Sequence, residues 1–403
     1  MITEQQRSTI LSVSFWIWCG LLSFPLMLTS DSESANNPTA LYYLLQLVGF
    51  LQYSIVVILV YPWRILNQIF GYDRLQIAVM AIFFLSLALQ LHGESAAVLA
   101  GIAYTVTQVI AIVIISLIWT MQADAVARCL GGAAVVFLMF GITAVALFGW
   151  PEGRHVGGIH PNFFGSVLLV AFVFSQFWTG RAMFLLRVVC LVLVGAVSSR
   201  FAVIGSVIAL VIFEATFKPV SLRIVVLTVL AGTCVVLFHD QLNDVLALDD
   251  PARNMDSGFS GREDQWNAAF DAMLNHPFGV GFKRPALEEG GGGHNGYLKA
   301  LLEFGVLGGG LVIAAMFGIV VLAVVKAALH SEVDDRLRRI GSARAAGLGA
   351  LAFASFFQPQ IFNLGDVHGI SFSLLLFAPG LRSGRQAMST GQPVRPIGIG
   401  AGR

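Results

Sequence analysis

The chain has 403 residues, of which 57% are hydrophobic and 12% charged, with a mean hydropathy of +0.79 and a formal net charge of +1. That balance excludes a soluble globule of ordinary design, and it leaves no charge excess to hold a nucleic acid. What remains is an all-α polytopic membrane protein, because a bilayer interior offers backbone groups no water and only helices can carry such apolar runs across it.

A run needs roughly 20 residues to cross the hydrocarbon. Twelve stretches qualify, near 11–29, 41–61, 75–92, 96–121, 129–150, 163–180, 182–198, 201–217, 222–239, 304–326, 343–362 and 367–381, the last being the shortest. The first is read as a span rather than a signal peptide, since it is long and lacks a small-residue cleavage site. Nine spans then occupy 1–239, a large loop with a short interfacial helix occupies 240–296, and three spans occupy 297–385. The tail 386–403 is expected to be cytoplasmic and disordered. Cys19, Cys129, Cys190 and Cys234 fall in or beside apolar runs with no metal-ligand spacing, and they read as packing residues.

Basic residues set the orientation. With the N-terminus inside, Arg64, Arg74, Arg128, Arg181, Arg187, Lys218, Arg223, Arg336, Arg338, Arg339 and Arg344 all fall on the cytoplasmic side. Seven residues break the rule: Arg154, Arg200, Arg253, Arg262, Lys283, Arg284 and Lys299 are placed outside. Snorkelling to headgroups explains any one of them. Together they predict a basic outer pocket suited to a diphosphate or another polyanion.

Helix starts converge on the same face. His160-Pro161-Asn162 opens the sixth span, and Ser198-Ser199-Arg200 opens the eighth. Ser260-Gly261-Arg262-Glu263 has the form of a capping box, placing Arg262 in the first turn of a helix whose Trp266, Phe270, Met273 and Leu274 make one apolar face. Pro277 and Gly279 end that helix. His294-Asn295 precedes Tyr297-Leu298 and the tenth span, with Asn295 or Gly290 to Gly293 forming the helix start. Each helix N-terminus offers free N–H groups and a positive dipole end, so arginines there build anion sites from backbone and side chain together. Histidine is the natural proton acceptor near neutral pH, and His294, beside four glycines, is the preferred base, ahead of His155, His160, His276 and His368. Adjacent Asp249 and Asp250 are read as solvated rather than as metal ligands, so no metal is expected.

The run SGREDQWNAAFDAMLNHPFGVGF followed by HNGYLKALLEFGVLGG resembles the signature of the O-antigen ligase and polysaccharide polymerase family. The correspondence rests on Arg262, Trp266, the turn Pro277-Phe278-Gly279-Val280-Gly281 (one residue shorter than the usual form), His294-Asn295, Tyr297, Leu298, Gly305 and Gly308. Ser199-Arg200 and His160-Pro161-Asn162 resemble two further family features, although Phe201 stands where the family usually carries Gly or Ser.

The resemblance implies a GT-C-like inner-membrane glycosyltransferase whose site faces the periplasm. Its donor would be a glycan on undecaprenyl diphosphate and its acceptor a second lipid-linked glycan or lipid A-core, with no cofactor. Catalysis would fall to Arg200 and Arg262, holding the donor diphosphate, and to His294, deprotonating the acceptor hydroxyl for inverting attack. Arg154, His160, Asn162, Trp266, Lys283, Arg284, Asn295 and Tyr297 are the expected substrate contacts, and membrane lipids and other polysaccharide-assembly membrane proteins the expected neighbours. The HNGYL form leans toward a polymerase of O-antigen or exopolysaccharide rather than a ligase. Two readings from other classes stand beside this one: a transporter or flippase of lipid-linked glycan, favoured by Thr105, Thr107 and Gln108 within the fourth span, and a non-enzymatic scaffold for envelope assembly.

Overall fold

The computed structural model describes residues 3–29, 40–62, 71–90, 95–151, 155–217, 263–282, 295–329, 334–359, 361–363 and 365–379. Among them the first four long helices are α1 (Glu4–Ser23), α2 (Ala40–Val60), α3 (Arg74–Gln90) and α4 (Ser95–Ser116). Then come α5 (Ala123–Phe148), α6 (Pro161–Ser175), α7 (Arg181–Ala196) and α8 (Arg200–Phe217). After α9 (Glu263–Asn275), the chain closes with α10 (Gly296–Leu329), α11 (Asp335–Ala354) and α12 (Val367–Leu376). An isolated bridge between Val156 and Ile159 interrupts this all-helical plan.

Every predicted apolar stretch coincides with a described helix except 222–239, which lies outside the described residues. Among the described residues, six helices or helix-containing segments are long and apolar enough to cross a membrane: Glu4–Leu28, Leu41–Val60, Val98–Thr120, Ala123–Phe148, Arg200–Phe217 and Gly296–Leu329. The helices within Arg74–Ala88, Pro161–Ser175 and Val367–Leu376 are apolar but shorter. The outward faces of the bundle carry large hydrophobic side chains, including Leu59, Leu85, Leu99 and Leu311, each more than half exposed. A water-soluble protein would bury such a surface; a membrane protein presents it to lipid.

Local chemistry marks the boundaries. Thr3 and Gln6 form a reciprocal capping box at the start of α1. Gly149, at φ 86, ends α5 where an L side chain would be strained. Asp334 and Asp366 accept from the first amides of α11 and α12.

Contacts between distant residues sort the helix ends into two faces of the bundle. At one face Tyr61 donates to Glu4 at 3.1 Å, Tyr72 meets Ser116 at 2.6 Å, Gln76 donates to the carbonyls of Leu376 and Ala378, and Arg336 pairs with Asp124 at 2.6 Å. At the other, Gln46 donates to the Gly365 carbonyl at 2.7 Å and the Gly296 amide to the Ser355 carbonyl at 2.8 Å. Neighbouring helices such as α1 and α2, or α11 and α12, therefore run in opposite directions.

Tertiary packing then sets the helix order. α11 runs against α8, with Gly205 facing Ala350 and Gly349 facing Ile208 and Ile212, and α6 packs on α5, α7 and α8. Small residues at these crossings let backbones approach closely. Cys19, Cys129 and Cys190 are free and buried, as packing residues should be; Cys234 lies outside the described residues.

Candidate functional site

α10 is not one helix. Gly305, at φ 75 and ψ 170, breaks it into 296–304 and 306–329. In a straight helix residues 300 and 309 would stand about 13 Å apart along the axis. Here a Cβ on Gly309 would lie 2.6 Å from the Ala300 carbonyl oxygen, so the two segments fold sharply on each other. The expected tenth span, 304–326, thus begins at the break, and a short separate helix precedes it.

The turn Pro277–Gly281 fills that break. Val280 and Gly281 donate their amides to the carbonyls of Leu302 and Glu303, each at 3.0 Å, and Val306 donates to the Pro277 carbonyl at 3.0 Å. Groups orphaned by the break are satisfied by the turn, which also ends α9, as the proline and glycine predict. Behind it, Phe282 and Phe304 stack with centroids 5.4 Å apart, and both meet Phe83 of α3 at 5.5 Å. α9 lays Ala269 and Ala272 on Leu302. Trp266 on the same helix is half-buried.

Asn295 caps the short helix. Its Oδ1 accepts from Tyr297 N at 2.9 Å and Leu298 N at 3.2 Å. Of the two ways the sequence allowed this helix to begin, on Asn295 or on the glycines, the side chain makes the cap. Tyr297 turns inward: its hydroxyl donates to the Ala352 carbonyl at 2.6 Å, and its ring packs on Phe317 and Phe356. Lys299 lies 3.9 Å from Glu303, which is only 3% exposed, and both line a small cleft with Gly296, Phe282, Ile361 and Asn363.

Two more helix starts occupy this face. His160 caps α6, its Nδ1 accepting from Asn162 N at 3.2 Å, and Pro161 takes the first helical position. Nδ1 as acceptor fixes the neutral ring in its Nε2–H form. His155 stands edge-on to His160 at 6.1 Å. Before α8 the backbone turns through Ser198 at φ 48, and Ser199 is pressed against α6, where a Cβ on Gly165 would fall 2.2 Å from its Oγ. Arg200, the first residue of α8, is half-exposed. The starts of α6 and α8 are thus neighbours, and α11 joins them to the start of α10 through Ala350 and Ser355.

Of the predicted site residues, the structure brings His160, Asn162, Arg200, Asn295 and Tyr297 to one face, with Trp266 on α9 against the short helix. His294, Arg262, Arg154, Lys283, Arg284 and Arg253 lie outside the described residues.

Sequence reading missed Ser355 and placed His368 near the outer face as a weaker candidate base, whereas it is fully buried. The Ser355 carbonyl holds Gly296, and its hydroxyl meets His368 Nε2 at 3.1 Å in the interior. It also passed over Glu303, whose signal was an acid isolated in an apolar run. In α4, Thr105 and Thr107 return their hydroxyls to Gly101 and Ala103 of the same helix. No cluster of His, Cys, Asp and Glu able to hold a metal occurs among the described residues.

Residues 162–313 match the sequence model of the family described as O-Antigen ligase. That match supports the resemblance to the O-antigen ligase and polymerase family over this segment of the chain. The match begins at Asn162, in the first turn of α6, and ends past the Gly305 break, so the matched segment takes in the helix starts of α8 and α10 and the turn that fills the break. No curated protein sequence matches the chain. The matched segment and the apolar helices together support a multi-pass membrane protein of O-antigen ligase or polymerase type, a family whose substrates are in general a lipid-linked glycan and an acceptor.

Proposed function

We propose that the protein transfers a glycan from undecaprenyl diphosphate to a sugar hydroxyl of another lipid-linked glycan, at the periplasmic face of the inner membrane. The carrying observation is the adjacency of the α6 and α8 starts through Gly165 and Ser199, inside the region matched by the family. Two positive helix ends and Arg200 then share one face, which suits a diphosphate leaving group. The excess of arginine at the opposite face supports assigning that face to the cytoplasm.

In this reading Arg200 and Arg262 hold the diphosphate and stabilise the charge growing on it as the bond from the anomeric carbon to phosphate oxygen breaks. His294 takes the acceptor hydroxyl proton while the acceptor oxygen attacks that carbon with inversion. Asn295 positions His294 by capping the next helix, and Tyr297 anchors that cap to α11. Arg154, Lys283, Arg284, His160, Asn162 and Trp266 contact the donor or acceptor, and no metal takes part.

Reconstituted protein supplied with lipid-linked repeats tests the proposal. Chain extension that disappears in His294→Ala and Arg262→Ala supports it, and extension unchanged in both variants overturns the assignment of roles. Extension by purified protein with no second compartment rules out the transporter reading. In the host, inactivation should leave single repeats; long chains stranded on undecaprenyl diphosphate would instead mark a ligase that uses lipid A-core.

A further inference from the structure

A second polar cavity lies at the opposite face of the bundle, far from the starts of α6, α8 and α10. It is lined by Asp124 and Arg128 of α5, by Phe177, Trp178 and Thr179 after α6, by Phe217 at the end of α8, and by Asp335, Arg336 and Arg339 of α11. Its volume is ≈ 430 Å³, enough for a phosphate-bearing headgroup.

Positive charge prevails there. Arg336 pairs with Asp124 at 2.6 Å and Arg338 pairs with Asp335, so the two lining acids are matched. Arg339 lies over the Phe217 ring at 4.5 Å and senses Glu214 nearby. Arg187 braces the wall, donating to the carbonyls of Ser175 at 2.8 Å and Trp178 at 3.3 Å. Three arginines (Arg128, Arg336, Arg339) thus line the cavity against two acids (Asp124, Asp335). The α5 N-terminus points into the same space, and its cap residue Gln122 makes no side-chain bond to the first amides. Those amides add a positive dipole end to the arginines.

The cavity also adjoins lipid. α7, which follows its Trp178-Thr179 wall, turns Phe184 and Leu185 outward, both at least 60% exposed, and α5 turns Val135 and Met139 outward. A bound molecule can keep its phosphate among the arginines while its apolar part runs along these helices. A soluble phosphate would leave that apolar surface unused. We propose that this cavity binds the phosphate headgroup of an anionic phospholipid.

The test uses the full chain in detergent, with native mass spectrometry counting bound phosphatidylglycerol. Wild type should retain the lipid, and Arg128→Gln, an exposed change that spares packing, should weaken retention about tenfold, the loss of one charged hydrogen bond. Arg339→Gln should compound it, and Arg128→Lys should restore part. Equal retention by wild type and the glutamine variants overturns the site. Displacement of the lipid by millimolar inorganic phosphate overturns the lipid as occupant and leaves a soluble phosphate ligand. Glycan transfer is not the readout, so failure here leaves the proposed chemistry untouched.

Discussion

Gly279 and Gly305 meet backbone to backbone. A Cβ on Gly279 would stand 2.4 Å from Gly305 N, and one on Gly305 would stand 2.3 Å from the Phe278 carbonyl carbon. Both residues also have positive φ, 87 and 75. One glycine lets the chain break a helix, and the other lets a remote turn occupy the break. The family resemblance in this region therefore has a mechanical basis: the Pro-Phe-Gly-Val-Gly turn and the downstream glycine are two halves of one joint, which fixes the short helix that follows His294.

That joint yields the first prediction. Gly305→Ala and Gly279→Ala should each destabilise the protein by more than about 2 kcal/mol, because each adds left-handed strain to a backbone clash that no side chain can relieve. Thermal unfolding in detergent measures this. Gly310, which has open space at its Cβ, is the control, and Gly310→Ala should leave the melting temperature nearly unchanged.

The cap yields the second. Asn295→Ala removes the acceptor for two amides and should cost about 1 kcal/mol, with Asn295→Asp or Asn295→Ser restoring most of it. If the cap also positions His294, glycan transfer should fall by more than the stability loss explains. Comparing transfer at a temperature where both proteins are fully folded separates the two effects.

Much of this was legible in the linear chain because the signals are local. Apolar runs mark helices, Pro161 after His160 marks a helix start, and Asn295 ahead of Gly-Tyr-Leu reads as a cap. The break at Gly305 was not legible. A glycine in an apolar run ordinarily serves close helix packing, and the residues that force it open lie 26 positions upstream, at Gly279. Tyr297 reads in the linear chain as a substrate contact, and the partner that turns it inward, the Ala352 carbonyl, comes from a helix remote in sequence. Glu303 and Lys299, four apart on the short helix, likewise line a cleft that forms only with Phe282, Ile361 and Asn363 from segments remote in sequence.

Tyr297→Phe gives the third prediction. Removing the hydroxyl leaves the buried Ala352 carbonyl without this donor and should cost about 1–3 kcal/mol, with the ring stacking on Phe317 retained. Transfer by the folded variant should fall only modestly, as expected of an anchoring residue. A loss of a hundredfold or more, with the acceptor KM sharply raised, would instead make Tyr297 a sugar contact.

The last prediction concerns the contact between α6 and α8, which sets where Arg200 stands. Gly165→Ala puts a methyl group 2.2 Å from Ser199 Oγ and 2.6 Å from its Cβ, so the helix starts must separate. The backbone of α6 tolerates alanine, which leaves displacement of Ser199 and Arg200 as the main consequence. Arg200→Ala should lower the transfer rate about 10²–10³-fold if its guanidinium stabilises the departing diphosphate, with kcat falling more than KM rises. Gly165→Ala should reproduce part of that kcat loss while leaving the arginine in place. Adding Ser199→Gly removes the clashing side chain and should recover activity in the Gly165→Ala background but not in Arg200→Ala. Recovery in neither background would mean that the adjacency of these two helix starts holds the fold together without positioning the arginine.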